Sequence, residues 1–346
     1  MATPRKQLVD SEVACTYHVS SRCVRQSWLF GLDELTRKDY SYRKAWLTER
    51  LKVLATCFAI ELYAYSIMSN HYHLVLRHDP KACEMWTDEE VAERWVEVYP
   101  PKGEGQALEE RKAAARERLL GNPGRLAGAR KTLGSLSGFM QHLNQPIARR
   151  ANKEDERKGH FFEERFYSGA LLSEEAVVAA MAYVDLNPVR AKIARDIEEC
   201  ADSSIGERLR ECTAESLEEF LRPVASGVKS RDDCAVEASD EAPAVPETAP
   251  ASRSKRTIGT KVESAERPAS TRPDYPGPQR TLGEYVTVLR SLAAGYHLDL
   301  PPDKVSAWSV KVATIRRRQR AFGPLEHLKQ WATVRGTPCR GIPLAT

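Results

Sequence analysis

What this sequence of 346 residues lacks sets its first bounds. It has no run of about 18 or more apolar residues, so no membrane span is expected. The start, Met1-Ala2-Thr3-Pro4-Arg5-Lys6, has no apolar stretch, so no secretory signal is expected either. None of the eight cysteines forms a Cys-x-x-Cys pair, and they are scattered from Cys15 to Cys339. That usage speaks against a disulfide framework or a structural zinc site and for reduced thiols in a cytoplasmic protein. A strong charge of one sign is missing too: 52 Lys and Arg against 48 Asp and Glu leave +4, so the whole chain does not announce a nucleic-acid partner. No internal repeat is present. The length suffices for one or two domains with proper cores.

Charge is uneven along the chain. From Lys304 to Thr346 there are nine Lys or Arg and one acidic residue, Glu326. The run Arg316-Arg317-Arg318-Gln319-Arg320 could bind phosphates or form a solvated helix face, and both readings stay open. Between Pro223 and Arg280 lie eight prolines and few large apolar residues, which reads as a disordered linker.

The most informative segment is Ser66-Ile67-Met68-Ser69-Asn70-His71-Tyr72-His73-Leu74-Val75-Leu76. On a strand, residues two apart share a face, so His71 and His73 can present two imidazoles side by side, a start for a divalent metal site. Around them, residues 13–30 alternate as a strand, with Val13, Cys15, Tyr17 and Val19 on one side and Ala14, Thr16 and His18 on the other. His18 reads as a hydrogen-bonded sheet histidine. Trp46, Leu47, Leu51 and Leu54 predict a helix from Leu35 to about Cys57. Two strands follow, 58–65 and 67–77. Strand, helix, strand, strand is the first half of a ferredoxin-like unit: an α+β fold whose antiparallel sheet carries helices on one face.

Residues 79–133 read as a helical insertion, with a capped helix opening at Thr87. Packing on the core is its expected role. A helix over 134–151, kinked at Pro146, precedes a strand-like aromatic run from Phe161 to Leu172. Ser173 with Glu174 and Glu175 caps a further helix that should run to about Asn187, before Pro188. A small basic helical segment is expected over 281–346. The predicted domains are therefore 1–222, a linker 223–280, and 281–346.

Four motifs stand in order: Thr16-Tyr17-His18-Val19-Ser20-Ser21-Arg22-Cys23, Asn70-His71-Tyr72-His73-Leu74-Val75, Phe161-Phe162-Glu163-Glu164-Arg165-Phe166-Tyr167-Ser168, and Tyr183-Val184-Asp185-Leu186-Asn187-Pro188-Val189-Arg190-Ala191. Together, over residues 13–195, the chain resembles the HUH single-tyrosine transposases, and among them the REP-associated tyrosine transposases. The resemblance implies Tyr183 as nucleophile, with His71, His73 and Asn187 holding Mg2+ or Mn2+. It implies cleavage and rejoining of single-stranded or hairpin DNA through a 5′-phosphotyrosine link. Tyr183 and Asn187 are one helical turn apart, so they can face the same way. Arg165 and Arg190 are candidate phosphate contacts, with Arg316, Arg317 and Arg318 of the basic tail. Tyr167 is the competing nucleophile. In such a family the tyrosine helix can be swapped between two subunits, which would make the protein a homodimer. The insertion and the long extension depart from a minimal family member and put target specificity in doubt. Two other classes remain: a non-catalytic DNA-binding regulator on the same scaffold, and an unrelated metallohydrolase that would need a nearby carboxylate.

Overall fold

Two-residue alternation organises the centre of the molecule. The computed structural model describes residues 4, 7–24, 30–33, 37–163, 165–228, 278–298, 301, 305–336 and 341–343. Strand β1 (Cys15–Arg22) pairs antiparallel with β3 (His71–His78), from Cys15 opposite His78 to Arg22 opposite His71. Strand β2 (Ile60–Ile67) flanks β3, and β4 (Tyr167–Leu171) flanks β1, both antiparallel. The order β2-β3-β1-β4 is that of a ferredoxin-like sheet. On one face, Tyr17, Val19, Tyr72, Leu74 and Leu76 pack into a core with α1 (Arg43–Cys57) and α5 (Leu136–Glu154). Burial of this apolar stripe is the main driving force for the layer.

Where the sequence reading differs from the structure, local hydrogen bonds account for it. The β2–β3 turn falls at 68–70, because the Met68 amide donates to the His71 carbonyl at 2.8 Å and closes the hairpin there. Helix α1 begins at Arg43, after a turn in which Asp39 Oδ1 accepts from the Ser41 amide and hydroxyl. The expected start at Leu35 lies outside the described residues. Arg43 is fully buried and forks onto Asp155, with Glu154 beside it, tying the start of α1 to the end of α5.

The insertion forms α2 (Asp88–Val98), α3 (Gly105–Leu120) and α4 (Pro123–Leu133). Thr87 and Glu90 make the expected reciprocal capping box. Val91, Ala92, Leu126, Ala129 and Leu133 join the same core as α1, so the insertion packs on the sheet domain.

The other face of the sheet is covered by α6 (Glu174–Asp185), capped by Ser173 as expected. It ends at Asp185, two residues short of the expected Asn187. A short α7 (Asn187–Arg190) then starts, with Pro188 in its first turn, and α8 (Ser204–Arg210) follows. Strand β5 (Ala225–Ser226) pairs with β2, so the start of the expected linker belongs to the sheet edge. Residues 229–277 of that linker lie outside the described residues.

The C-terminal segment contains α9 (Leu282–His297), α10 (Ala307–Ile315) and α11 (Leu325–Val334), and it also supplies strands. Strand β6 (Ala321–Gly323) runs parallel to β4, and β7 (Gly341–Pro343) runs parallel to β6. The described residues of this segment cluster with those of 4–228 in one unit. Three-residue strands are too short to show alternation, which is why the sequence reads as helical here. Tyr285 of α9 donates its hydroxyl to Asp185 Oδ2 of α6 at 2.7 Å, with both residues fully buried.

The six cysteines among the described residues are free thiols. Among the described residues no helix is long and apolar enough to cross a membrane.

Tyr285→Phe should lower the free energy of unfolding by about 2 kcal/mol, since a buried carboxyl loses one of its donors. Urea titration would measure this. A loss under about 0.5 kcal/mol would show that the contact does not hold α9 to α6.

Candidate active site

The strands that bury Tyr17, Val19, Tyr72 and Leu74 on one face turn Thr16, His18, Ser20, His71 and His73 to the other. His71 and His73 meet at ring centroids 5.0 Å apart and nearly perpendicular. His18 stacks on His73, with centroids 5.1 Å apart, and its Nε2 lies 2.9 Å from His73 Nδ1. Asn70 Oδ1 lies 2.6 Å from His71 Nδ1. An amide oxygen only accepts, so His71 Nδ1 carries the proton and Nε2 keeps its lone pair.

Tyr183 reaches this cluster from α6. Its ring lies edge-on to His18 and His73, with both centroid separations 5.4 Å, and it is 6% exposed. Among the described residues no hydrogen bond engages its hydroxyl. Arg190, carried back by α7, lies 4.4 Å over the Tyr183 ring, and its Nη2 donates to Asn187 Oδ1 at 2.6 Å. Asn187 is buried, and its Nδ2 has no partner among the described residues.

Tyr167 packs on His18 from the other side at 5.5 Å, but its hydroxyl donates to the Gln319 carbonyl at 2.5 Å. Burial also raises its pKa above the usual phenol value. It is therefore the less available of the two phenols.

The electrostatics of the face are those of neutral imidazoles under positive charge. Burial, then Arg318 and Arg190, lower the His18 pKa to about 3. Burial, then Arg22, Arg190 and Arg318, lower that of His71 to about 4. His73 is driven well below its ordinary value by burial and the neighbouring histidines and arginines. At neutral pH all three keep lone pairs, as metal ligation requires.

Among the described residues no group of three or more His, Cys, Asp or Glu is placed to hold a metal ion. The face offers two imidazoles and the Asn187 oxygen already held by Arg190. Such a set would leave coordination positions open to a bound ligand and water, and being rich in nitrogen it fits Mn2+ better than Mg2+.

The other candidates separate. Arg318 reaches the site, where its Nη2 donates to Ser20 Oγ at 3.1 Å and its guanidinium lies 4.9 Å from the Tyr167 ring. Arg316 and Arg317 are exposed at the end of α10. Arg165 lies apart from the imidazoles and lines a cavity of about 760 Å3 on the α5 side, with Gln141, Arg149, Phe161 and Phe162. A second cavity of about 650 Å3 begins at Arg190 and is lined by Lys192, Arg195, Tyr296 and His297.

Sequence reasoning missed His18 and Ser20 as parts of this cluster. The signal was present: a central strand whose Thr16, His18, Ser20 and Arg22 alternate with residues of an apolar core face.

No family model matches the chain, and no curated protein matches it. Among solved structures it is similar to one described as a REP-associated tyrosine transposase bound to a REP hairpin. The identity is 11%, the match covers 66% of this chain and 99% of that one, and the TM-score is 0.36. That likeness is distant, and the geometry of the site carries the functional reading.

The depressed histidines fix a pH dependence. Below pH 6.5 the unfolded chain binds protons that the folded chain refuses, so stability rises with pH up to about 6.5 and then levels off. In metal-free buffer, His18 alone should withdraw on the order of 3 kcal/mol between pH 7 and pH 4. Urea titrations of wild type and His18→Asn across this range would test it, with a shallower profile expected for the variant. An unchanged slope would show that His18 is not held neutral.

Proposed function

We propose that the protein is a single-tyrosine DNA transesterase that cleaves and rejoins single-stranded or hairpin DNA, with Tyr183 as nucleophile. The observation that carries this reading is the packing of a phenol, its hydroxyl unengaged among the described residues, against His73 and His18, beside His71 and beneath Arg190. A solvated or merely structural tyrosine has no need of paired neutral imidazoles and an arginine around it.

His71 and His73, with Asn187, would hold a divalent cation, Mn2+ in preference to Mg2+. When bound, it supplies Lewis-acid polarisation of the scissile phosphate. His18, across its contact with His73, fixes the orientation of that imidazole. Arg190 offers its remaining guanidinium donors to the phosphate while Asn187 holds it in place.

Tyr183 Oη attacks phosphorus in line, forming the P–Oη bond and breaking the bond to the 3′-oxygen. Oη gives up its proton and the leaving 3′-oxygen takes one up, so no proton is consumed. The product is a 5′-phosphotyrosine, which a second 3′-hydroxyl can attack to rejoin strands. All of these residues come from one chain, so the reaction proposed here needs no second copy. The cavity beyond Arg190 is lined by Lys192 and by Arg195, which pairs with Glu199, and Lys192 is the cation there that a phosphate backbone leaving the site could meet.

Incubation with labelled hairpin DNA and Mn2+, followed by a denaturing gel, tests the reading. Wild type should form a covalent adduct, Tyr183→Phe none, and Tyr167→Phe an adduct within about tenfold of wild type. An adduct that survives Tyr183→Phe removes Tyr183 from the role. Binding with no adduct from wild type would favour the non-catalytic regulator, and cleavage with no adduct the metallohydrolase.

A further inference from the structure

Arg318 stands on a backbone that L-residues seldom adopt. Its φ is 50°, in the left-handed region, at the end of the turn that follows α10. Such a conformation persists where its surroundings hold it, and functional sites are where it clusters. Here the next two residues are clamped: the Gln319 carbonyl accepts from Tyr167, and the Arg320 carbonyl accepts from the Ala170 amide at 2.9 Å. The close approach depends on Gly169, where any side chain would collide with the Tyr167 hydroxyl and the Gln319 carbonyl.

The clamp aims Arg318 back across the sheet, over Tyr167 and onto Ser20, the residue paired with His73 in the neighbouring strand. Ser20 Oγ is the one acceptor its guanidinium has among the described residues, and no carboxylate there pairs with it. A guanidinium has five N–H donors, so four remain. The residue is exposed, and those donors are open to a ligand.

Arg190 faces the same imidazoles and Arg22 lies opposite His71, and neither pairs with a carboxylate among the described residues. Three guanidiniums on one polar face, none paired with a carboxylate among the described residues, make a site for an anion. In the reaction proposed above, the phosphate gains a second negative charge on its non-bridging oxygens as the P–Oη bond forms. A forked cation matches that geometry.

Resting on the transesterase reading, we propose that Arg318 is a catalytic residue whose guanidinium binds a non-bridging oxygen of the scissile phosphate. The C-terminal extension thereby completes the active site of its own chain, beyond any grip it has on a DNA stem.

The test compares wild type, Arg318→Ala, Arg318→Lys, Tyr183→Phe and Arg290→Ala, all full length, on hairpin DNA with Mn2+. The adduct-forming rate is measured at saturating DNA, binding by fluorescence anisotropy, and folding by melting temperature. Arg318→Ala should form adduct about a hundredfold more slowly, with binding within about threefold and melting unchanged. Arg318→Lys should fall between, and Arg290→Ala should match wild type. A neutral methylphosphonate at the scissile position should restore at least about tenfold of the Arg318→Ala rate, because the missing cation then has less charge to offset.

A wild-type rate in Arg318→Ala overturns the proposal and leaves the transesterase reading standing if Tyr183→Phe is inactive. A loss of rate that only follows lost binding or lost folding, with no methylphosphonate rescue, also overturns it. Wild type that forms no adduct overturns the transesterase reading, and this proposal with it.

Discussion

The arrangement of the site depends on one buried carboxyl, Asp185. It ends α6, is fully buried, and accepts from Ser204 Oγ at 2.5 Å, Tyr285 Oη at 2.7 Å and the Ile205 amide at 3.1 Å. Burial raises its pKa, and Ser204 and Tyr285 pull the other way. A carboxyl in such surroundings is tolerable only with its donors in place. Helix α6 is built almost wholly of Ala, Val and Met and is buried on every side from Ala176 to Asp185. No amphipathic stripe sets its rotation about its own axis. Asp185 does so, because it lies little more than half a turn beyond Tyr183. When Asp185 faces α8 and α9, Tyr183 must face the sheet.

The sheet face that receives Tyr183 is polar, and it is kept uncharged by the same surroundings that make it polar. Three imidazoles inside a protein would repel one another if protonated. Burial and the nearby arginines hold them neutral instead. Positive charge then resides on Arg22, Arg190 and Arg318, at the margins, where solvent or a phosphate can meet it. Lone pairs sit at the centre of the face and cations at its rim, a division suited to a phosphodiester that must be gripped by its oxygens and attacked at phosphorus.

Much of this was legible in the sequence. His71-Tyr72-His73 announces two imidazoles on one face, and Tyr72 does turn to the core, where its hydroxyl donates to Asn144 Oδ1. The Ser173 cap and the Thr87 capping box are local signals, readable because their hydrogen bonds span three residues. What stayed hidden is long-range. His18 meets His73 only through the β1–β3 register, which no local pattern states. Arg318 meets Ser20 across 298 positions of sequence. Asp185 shows no role until α8 and α9 are folded against α6. The C-terminal strands are so short that flanking charge masks them, and the pairing of β6 with β4 and of β7 with β6 follows from tertiary contact.

Two phenols lie nearly equidistant from His18, Tyr183 at 5.4 Å and Tyr167 at 5.5 Å, and distance alone does not choose between them. Their surroundings do. Tyr167 spends its hydroxyl on the Gln319 carbonyl, and Gly169 exists without a side chain to let that bond form. The bond joins the sheet edge to the segment that carries Arg318, so Tyr167 acts as a structural strut whose product is a positioned guanidinium. A nucleophile in the same place would have to break that strut to attack. Tyr183 is held through its ring, by His18, His73 and Arg190, with its hydroxyl unspent among the described residues. A group fixed at every point except its reactive atom is preorganised for attack. That difference, more than position in sequence, assigns the two tyrosines their separate roles.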